Sequence, residues 1–132
     1  MRLSVDTSVI LRLLVRDDPC QTAIAAQELE TADAVVLSLV VLCEAAWVME
    51  RTYRFSRTAI AEGFRDLIAA PHVECDRSEV EAGLAMLDLG GDFADGVIAR
   101  QGRSKRAGIF VSFDRKAVQL LTALGEDARL PG

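Results

Sequence analysis

Within residues 34–49, sixteen positions carry a single charge, Glu44, and Ser38 divides them into two pieces of different character. "AVVLS" is short and β-branched, which suits a buried strand. From Leu39 onward apolar residues continue over a helical length, with Ser38 placed to cap the first turn. A strand running straight into a helix is the unit of a parallel sheet, because parallel strands need a crossover connection. The unit recurs along the chain. "RLSV" (2–5) is a strand candidate before a helix over about 7–16, and Pro19 opens a second helix to about residue 31. The helix after Ser38 extends to about residue 53, Ser56 caps another over 57–70, and "HVEC" (72–75) is a weaker strand. Ser78 and Glu81 have capping-box spacing, opening a helix through Leu89 that Gly90 and Gly91 end. A helix over about 92–103 leads to "GIFVSF" (108–113), the clearest buried-strand pattern, and a last helix over about 114–124 stops at Gly125. The expected fold is α/β: one domain over residues 1–132, with a central parallel sheet of about four to five short strands flanked by helices on both faces.

At 132 residues and 51% hydrophobic, such a domain buries roughly two-thirds of its unfolded surface. Three cysteines without CxxC spacing and one histidine, His72, support neither a disulfide framework nor a Cys/His zinc site, and a reducing cytoplasm is expected. The first residues carry Asp6 and Arg12 inside their apolar stretch and do not read as a signal peptide. The run over 34–49 is shorter than the ~20 apolar residues of a membrane span, so no membrane segment is expected. A net charge of −5 argues against simple electrostatic binding of nucleic acid. It leaves open nucleic acid reached through a bound divalent ion, which reverses the sign of an acidic pocket.

Ligands of open α/β sheets gather beyond the carboxyl ends of the strands. Asp6 follows the first strand in "LSVDTSV" and Asp114 the last in "FVSFDRK". Either could simply cap the helix that begins there. Glu44 lies in mid-helix among apolar residues, where a bystander acid would need an ion pair with one of the thirteen arginines. In "GGDFADGVIAR", Asp92 and Asp95 stand three apart and share a helix face, although Asp92 could be only the cap. Carboxylates converging without Lys or His would repel one another, and all-oxygen ligands suit Mg²⁺ or Mn²⁺.

Four segments, "VDTSVILRLL", the Glu of "LVVLCEAAWVM", "DFADGVIA" and "FVSFDRKAVQLL", resemble in order and spacing the PIN-domain nucleases, and within them the VapC-type ribonuclease toxins of bacterial toxin–antitoxin pairs. The resemblance implies a metal-binding, catalytic quartet at Asp6, Glu44, Asp95 and Asp114. It implies supporting hydroxyls at Thr7 or Ser8 and at Ser112, with Asp92 as a fifth acid ranked below the four. It also implies Mg²⁺- or Mn²⁺-dependent hydrolysis of RNA, a homodimer, and a small antitoxin whose tail covers the acidic cleft.

No acid occurs between Gly96 and Phe113, while Arg100, Arg103, Lys105 and Arg106 do. These, with Arg115, are candidates for RNA phosphates near the metal; alternatively they decorate a solvated helix end favoured by the macrodipole. Trp47 and Met49 are expected in the core. Two other readings compete: a metal-dependent phosphatase or phosphotransfer domain, whose second nearby Asp and Lys "VDTSV" lacks, and a degenerate partner-binding module, which the presence of all four acids disfavours.

Overall fold

Side chains at the starts of the helices set most of the element boundaries. The computed structural model describes residues 1–132, which fall into two compact units, Met1–Cys75 and Asp76–Gly132. The first contains β1 (Arg2–Ser4), α1 (Thr7–Val15), α2 (Pro19–Thr31), β2 (Ala34–Leu37), α3 (Leu39–Arg51), α4 (Arg57–Ala69) and β3 (Val73–Cys75). Asp6, Asp18, Ser38 and Ser56 each precede a helix and accept a hydrogen bond from a backbone N–H of its first turn, satisfying donors that have no intrahelical partner. Pro19 takes the first position of α2, where its missing N–H costs nothing.

The three strands form a parallel sheet in the order β1-β2-β3, with Leu3 opposite Val35 and Val35 opposite Val73. Each crossover is a pair of helices. The core of this unit is apolar throughout: Ile10, Val35, Leu42, Met49, Ile60 and Phe64 are fully buried, each worth about 1.5–3 kcal/mol of transfer free energy as an upper estimate.

The second unit contains α5 (Arg77–Asp88), α6 (Phe93–Ser104), β4 (Phe110–Val111), α7 (Arg115–Ala123) and β5 (Ala128–Arg129). Val80, Leu84, Phe93 and Val97 are buried, and Met86, Ala99 and Leu121 form a core cluster against which Phe110, Leu120 and Ala128 pack. Gly90, at φ 84°, makes the left-handed turn that separates α5 from α6. None of the helices is long and apolar enough to cross a membrane.

The fold is α/β as expected, but the strands divide into a three-stranded sheet and a parallel β4-β5 pair rather than one sheet of four or five. The "GIFVSF" run shrinks to the two residues of β4, and Ile109, Val111 and Phe113 are exposed. β4 has only β5 beside it, so a composition suited to burial on both faces finds one partner. The capping box at Ser78 does not form. α5 starts at Arg77 with Asp76 in the cap position, and the Ser78 hydroxyl bonds Glu79 and Arg100 instead.

Candidate metal centre

Two helix starts in the second unit bring carboxylates together. Asp92 holds the cap position of α6 and Asp95 its first turn, while Asp114 caps α7 immediately after β4. One carboxylate oxygen from each of Asp92, Asp95 and Asp114 lies within 4.8 Å of the others. Asp92 makes no side-chain capping bond despite its position, so the capping role foreseen for it is not what its carboxylate does.

Backbone contact positions α6. A Cβ on Gly96 would lie 2.4 Å from the carbonyl oxygen of Ala82 and 2.9 Å from the Cα of Gly83, both on α5. Gly83 in turn lies flat against the Phe93 ring, whose nearest carbon would be 2.6 Å from an added Cβ. α5 and α6 therefore meet backbone to backbone at the turn that carries Asp95. Sequence reasoning passed over both glycines. The available signal was a glycine inside each predicted helix, which lowers helix propensity and survives for a packing reason.

Burial first, and then the neighbouring charges of Asp92 and Asp114, raise the Asp95 carboxyl above its ordinary pKa. The positive ends of α6 and α7 attract anions, yet three carboxylates this close still repel one another. A hard divalent cation resolves that conflict, and an all-oxygen donor set with two exposed members and one half-buried one fits Mg²⁺ or Mn²⁺.

Asp114 combines two roles that the sequence presented as alternatives. Its Oδ1 accepts from the Ala117 N–H at 3.1 Å, and its own N–H donates to Ser112 Oγ at 3.0 Å. Capping thus engages one carboxylate oxygen and leaves Oδ2 for a ligand. Asp6, in the first unit, follows the same logic: Oδ1 accepts from Ser8 N–H at 3.0 Å, Ser8 Oγ at 2.6 Å and Val9 N–H at 3.4 Å. The Ser8 hydroxyl, followed by Val9, holds its pKa below the usual carboxylate value. Of the two hydroxyls considered beside Asp6, Ser8 rather than Thr7 makes the bond.

Glu44 is neither a core acid nor half of a buried ion pair. It is exposed, on the side of α3 that also presents Val40 and Trp47, 78% and 60% exposed. Leu42, Ala45, Ala46 and Met49 line the inward side. The apolar run is long enough to supply both faces, which is why Trp47, expected in the core, stands outside it with the Arg51 guanidinium 5.4 Å from its ring centroid. Met49 is buried as expected.

The basic candidates gather at the far end of α6. Lys105 and Arg106 follow its last turn, roughly 15 Å along the helix from Asp95 at 1.5 Å per residue. Arg103 pairs with Glu126 at 2.9 Å and Arg100 donates to Ser78 Oγ at 3.2 Å, so the segment's charge is partly engaged. Arg115, at the start of α7 beside Asp114, is the exposed cation of this group nearest in sequence to the acids.

The family model described as PIN domain matches residues 3–120, running through both units. No curated protein and no solved structure matched the chain.

Proposed function

The chain belongs to the PIN-domain family, and on that premise we propose that it is a Mg²⁺- or Mn²⁺-dependent ribonuclease and the toxin of a toxin–antitoxin pair. PIN domains are, as a rule, metal-dependent nucleases. The observation that carries the reading is the cluster of Asp92, Asp95 and Asp114 at two helix starts. By motif position, Asp6 and Glu44 complete the quartet with Asp95 and Asp114, and Asp92 adds a fifth acid.

When bound, the divalent ion supplies Lewis acidity, making water a nucleophile near neutral pH and offsetting charge that builds on the phosphate oxygens during in-line displacement. The chain's own residues bind and orient. The Ala117 N–H fixes the Asp114 carboxylate, Ser112 Oγ holds the Asp114 backbone N–H, and Ser8 fixes the carboxylate of Asp6, the kind of support that holds a ligand set in register. The single histidine, His72, has its ring nitrogen 2.8 Å from the Leu29 carbonyl oxygen and takes no part as a base. A homodimer and a cognate antitoxin are the proposed protein partners, with exposed Val40 and Trp47 as apolar contact surface. The absence of a disulfide among Cys20, Cys43 and Cys75 fits a cytoplasmic setting.

The test is cleavage of RNA by purified, antitoxin-free protein: scission with Mg²⁺ or Mn²⁺ and none in EDTA. Absence of cleavage with both ions overturns the reading. Phosphate contacts by Arg103 and Arg106 are tested separately. Replacing both by Ala is expected to weaken RNA binding and to lower the slope of log K against log salt by about 0.7 per lost single-strand contact. An unchanged slope removes them from the interface.

A further inference from the structure

Phe113 is the residue whose placement least fits its composition. It ends the most apolar run of the second unit, yet it lies beyond β4 and is 87% exposed, more than any other large apolar side chain. Phe64 and Phe93 are buried, Phe55, Phe110 and Tyr53 are half-buried, and Trp47, 60% exposed, has the Arg51 guanidinium 5.4 Å from its ring centroid. Phe113 is the most exposed of the aromatics. A single exposed apolar residue is ordinary on a protein surface, so the argument rests on where this one is held.

The backbone on its C-terminal side is pinned. Asp114 N–H bonds Ser112 Oγ across Phe113, Asp114 Oδ1 accepts from Ala117 N–H, and the Val118 N–H bonds the Asp114 carbonyl at 3.1 Å. The ring therefore projects from a fixed turn, with its Cα about 3.8 Å from that of a cluster acid. Arg115 and Lys116, both exposed, follow directly. In five residues, 112–116, the chain presents an aromatic face, a carboxylate of the cation cluster and two cations. Those are the groups that meet a nucleotide's base, its phosphate through a divalent ion, and the next phosphates along the strand. On a chain of net charge −5, with Arg100 and Arg103 engaged by Ser78 and Glu126 and Lys105 and Arg106 near the far end of α6, the groups in 112–116 are the ones held beside the acids.

We propose that Phe113 is the stacking platform for a base of single-stranded RNA next to the phosphate under attack, and so a positioning and specificity-determining residue. The inference rests on the nuclease reading. Ile109 and Val111 are exposed as well, so a protein contact is the competing occupant; nucleic acid is favoured because Phe113 adjoins a cluster acid and is followed by the exposed cations Arg115 and Lys116, whose charges suit a phosphate backbone.

The probe is a single-stranded oligoribonucleotide carrying 2-aminopurine at each position in turn, with steady-state cleavage and stopped-flow fluorescence followed in Mn²⁺. One position is expected to be quenched on binding before cleavage. Phe113→Ala is expected to abolish the quench and raise KM by about 5- to 150-fold, the equivalent of one lost base stack, with Mn²⁺ affinity unchanged. Phe113→Trp is expected to retain both signals, and Phe113→Leu, apolar but without a π face, to restore neither. Wild-type-like quench and KM in Phe113→Ala, full rescue by Leu, or no position-specific quench with the wild type each overturn the stacking role. A change in oligomeric state with RNA affinity intact overturns it too, reassigning Phe113 to a protein contact. If the wild type cleaves and Asp95→Asn does not, a negative result at Phe113 falls on this inference alone; if the wild type cleaves nothing, the nuclease reading fails and takes this inference with it.

Discussion

Asp95→Asn is expected to lower RNA cleavage by about 100-fold or more while leaving the metal-free fold at least as stable as the wild type. The activity estimate starts from the 10- to 100-fold losses typical of residues that merely support a metal ligand, which a direct ligand should reach or exceed. The stability half follows from linkage. Asp95 is half-buried beside Asp92 and Asp114, so its folded-state pKa is raised above the unfolded value. The folded chain then holds the proton more tightly, and stability falls as pH rises from the ordinary carboxylate value through the raised one. At neutral pH the charge is a liability that asparagine removes. A divalent ion reverses the sign, because it binds the folded cluster and stabilises it by mass action. Thermal melts should therefore show Mn²⁺ raising Tm in the wild type and much less in the variant, while in EDTA the variant melts no lower. Retained cleavage, or an equal Mn²⁺ shift in both proteins, would remove Asp95 from the centre. Asp6 runs the opposite way: its depressed pKa contributes stability that is present above the ordinary value and is lost as pH falls through the folded one.

Gly96→Ala is expected to destabilise the protein by about 1–3 kcal/mol, the usual range for overpacking, although Gly to Ala inside a helix ordinarily gains up to ~1 kcal/mol. The sign is decided by what the new methyl would meet. Its nearest neighbours are backbone atoms of α5, at 2.4 Å and 2.7 Å in Ala82, which move only if the helices separate. Separation carries Asp95 with it, so Mn²⁺ affinity should fall as well. Gly102 provides the control within the same helix: a Cβ there meets nothing nearer than 3.6 Å. Gly102→Ala should be neutral or stabilising by up to ~1 kcal/mol. Urea unfolding of the two variants checks this; equal stability would show that α5 and α6 are not held by that contact.

Helix starts were legible because a cap is a local event. Ser38, Ser56, Asp6 and Asp114 each bond an amide two or three residues away, and the sequence displays both partners. Ser78 with Glu81 shows the limit: a correct spacing loses to a helix that begins two residues earlier, where Ser78 can meet Arg100, twenty-two residues distant. Asp6, Asp95 and Asp114 were legible as acids at helix starts, since each lies at or within three residues of a cap position. Trp47 was misread as interior because an apolar run carries no sign of which of its faces turns inward.

The sequence by itself determined the α/β class, most of the caps, and the bonds of Ser8 to Asp6 and of Ser112 to the Asp114 N–H, all set by interactions a few residues long. Only the tertiary structure decided that Asp92 joins Asp95 and Asp114, that Gly96 and Gly83 seat α6 on α5, that the strands divide between two sheets, and that Phe113 stands in solvent. Those outcomes depend on which distant segments compete for the same buried surface, and that competition is settled by packing rather than by any local pattern.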